Sequence, residues 1–148
     1  MSVDVRSFRA NDLEGILQLC REENWPSLPE DPARAQRALT APGVTTVVAS
    51  SSGGIVGFAQ LLSDGEIQAY LCLIAVDEDN RGQGIARAMI QEGLRLAGGL
   101  RVDLLTDSAP DFYERLPHHK MQGFRLHPHY SGPDIYRDGV VWENGREK

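Results

Sequence analysis

Val76-Asp77-Glu78-Asp79-Asn80-Arg81-Gly82-Gln83-Gly84-Ile85-Ala86-Arg87 joins two segments of different periodicity, and that junction decides the architecture. Before it, residues 67–76 end in an unbroken apolar run from Ala69 to Val76, which predicts a central strand facing water on neither side. After it, Ala86, Met89, Ile90, Gly93, Leu94 and Ala97 fall on one stripe of an amphipathic helix, which Gly98 and Gly99 end. Residues 100–106 read as another strand. A strand, a helix and a strand in that order imply a crossover, and hence a parallel pair.

Upstream, residues 45–49 and 55–62 are β-rich and separated by the turn at 50–54, with a second turn at 63–65 before the central strand. They predict an antiparallel meander. Residues 3–8 suit a short half-buried first strand. Asn11 and Glu14 form a capping pattern for a first helix that ends near Glu23, and 31–39 reads as a second helix with Pro32 in its first turn. The proline-rich loop between them carries Trp25. Downstream, 110–116 suits a short helix, and 124–126 and 135–142 suit strands. The elements define an α/β (α+β) fold with a mixed, mostly antiparallel central sheet flanked by helices. A length of 148 residues predicts a single domain over residues 1–148.

The apolar run is far shorter than the roughly 18 residues of a spanning helix, and Asp4, Arg6 and Arg9 break a secretory signal pattern, so a cytoplasmic protein is expected. Cys20 and Cys72 lie far apart with no CxxC, which predicts two small buried hydrophobes and neither a metal site nor a disulfide framework. His127 and His129 lack the carboxylate or cysteine support a metal would need. A net charge of −6 repels nucleic acid and anionic membranes and draws a cationic partner.

The glycine turn carries the chemistry. At a helix N-terminus the first backbone amides lack acceptors and the helix dipole favours an anion, so Arg81, Gly82, Gln83, Gly84, Ile85, Ala86 and Arg87 form a candidate phosphate-binding turn. The P-loop pattern is absent, and a dinucleotide fingerprint needs a third glycine where Arg87 stands.

The segment Val76-Asp77-x-x-x-Arg81-Gly82-Gln83-Gly84-Ile85-Ala86 resembles the acetyl-CoA signature Q/R-x-x-G-x-G/A of the GNAT N-acetyltransferases, with Arg81, Gly84 and Ala86 at its defining positions. Ala109-Pro110-Asp111-Phe112-Tyr113-Glu114-Arg115-Leu116 resembles the family's A-x-x-F-Y-E-x-L helix. The resemblance implies that the amides of 81–87 hold the pyrophosphate of acetyl-CoA, used as cosubstrate. It implies too that the strand end at Ile74, Ala75 and Val76 splays to pair with the pantetheine arm. In the same way it implies that the Cys72 backbone amide faces the thioester carbonyl as oxyanion donor, and that Tyr113 protonates the departing thiolate. The activity implied is direct acetyl transfer to a primary amine, on a small molecule or peptide, in a ternary complex.

Glutamine at 68 cannot take the amine's proton, whereas Glu66, two residues earlier on the same side, can act directly or through a water. Tyr70 shares that face, and polar groups at 66, 68 and 70 suit a water relay. Residues 117–122 form an insertion relative to the family and carry His118 and His119 near the expected acceptor side. The alternatives are a non-catalytic acyl-CoA-binding or sensor domain of the same fold, and a nucleotide-phosphate module using the same turn. A last strand ending in Val140, Val141 and Trp142 leaves a homodimer open.

Overall fold

Five strands lie side by side in chain order: β1 (Asp4–Ser7), β2 (Val44–Ser51), β3 (Gly54–Ser63), β4 (Gln68–Val76) and β5 (Arg101–Leu104). The first three pairings are antiparallel and the β4–β5 pairing is parallel, as the meander and the crossover predicted. This computed structural model describes residues 2–106, 109–126, 142–143 and 146–147. The chain divides into two compact units, residues 1–107 and 108–148, and the sheet belongs to the first.

Helices α1 (Leu13–Glu22) and α2 (Pro32–Leu39) cover one face of the sheet, and α3 (Ile85–Ala97) covers the other. On the first face Ile16, Leu19 and Cys20 of α1 and Leu39 of α2 close over Val48, Phe58 and Ala75, with Trp25 and Leu28 of the intervening loop packed at the margin. Full burial of a side chain such as Phe58 contributes about 2–3 kcal/mol. On the second face α3 lies so close to β3 that a Cβ on Gly93 would meet Leu61 Cδ1 at 2.6 Å. Glycine there permits the close approach. Gly98 ends α3 in the left-handed conformation, donating its N–H to Leu94 O at 3.0 Å.

Beta4 carries one residue more than β3 opposite it. Leu73 stands across from Gln60, but Leu71 stands across from Leu61, so Cys72 is the extra residue of a bulge. Leu71 therefore shares the α3 face with Leu61, while Leu73 and Ala75 pack on the α1–α2 face. Alternation upstream of the bulge then returns Tyr70 and Gln68 to the α1–α2 face.

Three expectations are corrected. The first helix is not capped by Asn11 with Glu14: a 3-10 turn at Ala10–Asp12 precedes it, Asp12 accepts the Arg9 N–H at 2.7 Å, and Glu14 pairs with Arg21. Asp12 takes this role because Arg6 already holds its carboxylate, Nη1 and Nη2 donating to Oδ2 and Oδ1 at 2.8 and 2.9 Å. Second, β4 is not buried on both faces; Tyr70, Cys72, Leu73, Ile74 and Val76 are half-buried, so Cys72 is not a core residue as Cys20 is. Third, residues 124–126 form no strand, and Phe124 and Leu126 are 81% and 82% exposed, since no described strand offers this short run a ladder. In the second unit, Trp142 is the one described residue of the strand expected over 135–142, and it stands in Trp142–Glu143 (β6), antiparallel to Arg146–Glu147 (β7). Residues 127–141, with His127, His129, Val140 and Val141, lie outside the described residues. The predicted short helix of that unit is α4 (Pro110–Glu114).

The Arg6 hydrogen bonds hold the Asp12 carboxyl below the usual carboxylate range, against the opposing effect of burial. A depressed folded-state pKa makes this stability complete above the unfolded value near pH 4 and lost as pH falls through the folded one. Asp12→Asn is expected to destabilise the protein at pH 7 by about 2 kcal/mol. Denaturant unfolding at pH 7 and pH 3 checks this: the gap between wild type and variant should narrow in acid.

Candidate functional site

Strand β5 accompanies β4 only from Gln68 to Leu71, whose partner is Leu104. Strand β3 continues beside β4 to Val76. The stretch 72–76 thus has one paired edge and, among the described residues, one open edge. Asp77 donates its N–H to Val56 O at 2.8 Å, so by strand alternation Ala75 and Leu73 direct their backbone groups to β3, and Ile74 and Val76 direct theirs to the open edge. The bulge at Cys72 sits where the two edges begin to differ.

A 3-10 turn at Glu78–Asn80 then leads to the glycine turn. Gly82 and Gly84 have φ of +76° and +78°, left-handed values that a β-branched residue resists, and both are exposed. A Cβ on either would meet no protein atom within 4 Å, so the turn borders open space. Ala88 is the residue that donates back to Gly84 O, at 3.0 Å, which leaves the amides of Gly84, Ile85, Ala86 and Arg87 as first-turn donors that helix α3 cannot satisfy. Ile85 is buried and anchors the helix start, while Gln83 and Arg87 are exposed.

Arg81 does something the sequence did not announce. Its Nε donates to Val76 O at 3.1 Å and its Nη2 to Glu23 Oε1 at 2.6 Å, so it ties the glycine turn to the end of β4 and to the end of α1. Much of its charge is therefore answered by Glu23, and among the described residues the exposed Arg87 is the cation of the turn with no acid partner. The exposed Arg81–Glu23 pair adds little stability by itself. Its value is positional.

Glu66 lies in the exposed turn before β4, where Asp64 accepts the N–H groups of Glu66 and Ile67 at 2.8 and 2.7 Å. Gln68 is fully engaged: Nε2 donates to Asp103 Oδ2 at 2.9 Å and Oε1 accepts from Arg101 Nε at 2.5 Å. Tyr70 stands in register with Asp103. Sequence reasoning missed Asp103, although the alternation of Arg101 and Asp103 with Val102 and Leu104 marks a polar face on β5. In the second unit, Tyr113 is half-buried, its ring edge-on to Phe112 with centroids 5.0 Å apart, and burial pushes its phenol above the ordinary value. His118 and Lys120 of the 117–122 insertion both pair with Glu114, at 3.3 and 2.7 Å. Among the described residues no helix is long and apolar enough to cross a membrane, and no group of three His, Cys, Asp or Glu side chains gathers to hold a metal.

The open edge of β4 lies next to a helix that starts at Gly84, and similarity to known proteins gives this arrangement a family. The family model for the acetyltransferase (GNAT) domain matches residues 42–116, and the chain belongs to this superfamily of N-acetyltransferases. A transcriptional regulator from Bacillus halodurans C-125 superposes with a TM-score of 0.68 at 21% identity, over 85% of this chain and 99% of its own. A ribosomal-protein-alanine N-acetyltransferase from Brucella melitensis biovar Abortus 2308 does so with a TM-score of 0.67 at 20% identity, over 86% and 99%. An aminoglycoside N-acetyltransferase, AAC(6')-Iy, solved in complex with CoA, gives 0.67 at 20% identity, over 84% and 95%. At such identities the likeness is one of fold. No curated protein matched the chain significantly.

Burial pushes the Cys20 thiol up to about 11 and also raises that of the half-buried Cys72, so neither is a ready thiolate nucleophile. Iodoacetamide at neutral pH is expected to label Cys72 slowly and Cys20 only after unfolding, as peptide mass mapping would read.

Proposed function

We propose that the protein is an acetyl-CoA-dependent N-acetyltransferase that passes the acetyl group directly to a primary amine of a small molecule or peptide. The observation that carries this reading is the open edge of β4 at Ile74 and Val76, next to the unsatisfied first turn of α3. An extended pantetheine arm adds to such an edge as a strand would. The amides from Gly82 to Arg87 receive the pyrophosphate, Arg87 adds charge, and Ala75 and Arg81 hold the strand end and turn in place. That an aminoglycoside N-acetyltransferase of the same fold holds CoA supports the choice.

The amine nitrogen attacks the thioester carbonyl, the C–N bond forms as the C–S bond breaks, and one proton leaves the nitrogen while another reaches sulfur. The Cys72 backbone N–H is the oxyanion donor in this proposal. Tyr113 gives the proton to the thiolate, and its raised pKa keeps it protonated at neutral pH. Glu66, the carboxylate that the sequence offers for the amine's proton, lies in the exposed turn before β4 and is assigned no step here. The protein acts in the cytoplasm, as a single domain over residues 1–148.

Calorimetry with acetyl-CoA, CoA, ATP and NAD is the direct test. The CoA compounds are expected to bind and the nucleotides not. Gly84→Val, which forces a β-branched residue to φ near +78° at the turn, should weaken acetyl-CoA at least about tenfold. Equal binding of ATP, or unchanged affinity in the variant, would remove the glycine turn from the site. Tyr113→Phe is expected to lower kcat about 100-fold with little change in acetyl-CoA affinity. A non-catalytic acyl-CoA sensor would instead bind acetyl-CoA and release no thiol with any amine.

A further inference from the structure

We infer that Asp103 is the base that takes the acceptor's proton, with Gln68 as the residue that positions its carboxylate. The inference rests on the acetyl-transfer reading above. Asp103 is in register with Tyr70, one residue before the last β4–β5 pair, Leu71 with Leu104, and so stands at the point where the two strands part. The bulge at Cys72 puts Gln68 and Tyr70 on the α1–α2 face, and the hydrogen bond from Gln68 Nε2 to Asp103 Oδ2 places the Asp103 carboxylate on that face too. Arg101 fixes the Gln68 amide the right way round, because its Nε can donate only to the amide oxygen and leaves the NH2 for Asp103. Asp103 Oδ1 receives no protein donor among the described residues, and the residue is exposed, so one oxygen is held and the other is available to an ammonium or to a water carrying its proton. Glu66, by contrast, lies outside the strand in an exposed turn.

The step balances simply. One proton moves from R–NH3+ to the Asp103 carboxylate, the freed lone pair attacks the acetyl carbonyl, and the nitrogen of the adduct sheds a second proton as the C–S bond breaks and the thiolate is protonated, so that R–NH3+ and acetyl-CoA give the amide, the CoA thiol and one proton released to water.

Asp103→Asn keeps an oxygen for the Gln68 NH2, so the fold should survive. Thiol release from acetyl-CoA would be followed at pH 7.5 with spermidine, kanamycin and an alanine-terminated tripeptide, all cationic there, and with hydroxylamine, which is largely neutral. With the best cationic amine, kcat of Asp103→Asn is expected to fall about 100-fold while the KM for acetyl-CoA holds, and the hydroxylamine rate should be spared. Gln68→Leu should show the same selectivity to a smaller degree, which a merely structural role would not produce. Equal loss with both kinds of nucleophile, no loss at all, or the selective loss appearing in Glu66→Gln in place of Asp103→Asn would overturn the assignment. A wild-type protein that binds acetyl-CoA but acetylates none of these acceptors also overturns it, whereas failure to bind acetyl-CoA overturns the transferase reading itself.

Discussion

One extra residue in β4, Cys72, governs most of what lies around it. A β-strand alternates faces with a period of two, so inserting one residue reverses the facing of everything on one side of it. Without the bulge, the facing that puts Leu73 and Ala75 against α1 and α2 would turn Gln68 and Tyr70 toward α3. Amide and phenol groups would then press on the helix that carries Met89 and Gly93. With it, the polar half of β4 and the apolar half share one face, and the strand changes course where β5 ends. The parting of the sheet and the gathering of Gln68, Tyr70 and Asp103 thus share one cause.

The glycine turn depends on the same strand from its other end. Val76 is the last residue of β4, and its carbonyl takes a hydrogen bond from Arg81, which also reaches Glu23 at the end of α1. The start of α3 is consequently referenced to two elements laid down earlier in the chain. Positive φ at Gly82 and Gly84 then shapes the turn that leads into α3, and that turn borders open space. Rigid placement of donors that the helix cannot use itself is what makes such a terminus effective toward an anion.

Much of this was legible in the sequence, because the two main periods are clean. The stripe from Ala86 to Ala97 and the turn chemistry at 50–54 and 63–65 require little tertiary information, and the meander, the crossover and the helix that follows the glycines formed as predicted. The bulge was hidden by the run it interrupts, since eight consecutive apolar residues show no alternation for an insertion to break. The Arg81–Glu23 pair spans 58 positions and the Gln68–Asp103 bond 35, so both exist only once the topology brings their elements together. At the first helix the pattern was read two residues late: Asn11 with Glu14 looked like a cap, but the pair that forms is Arg9 with Asp12, whose carboxylate Arg6 also holds.

The half-open edge of β4 has a cost for the molecule as a colloid. Unpaired N–H and C=O groups along a strand are a template for any other chain's edge, and apolar side chains beside them make the match more adhesive. Among the described residues the open stretch of β4 is 72–76, and Arg81 already covers its terminal carbonyl. A guest that fills the edge would remove what remains of the template. Resistance to self-association during storage or heating should therefore track how fully the edge is filled, even where the stability of the fold itself barely changes.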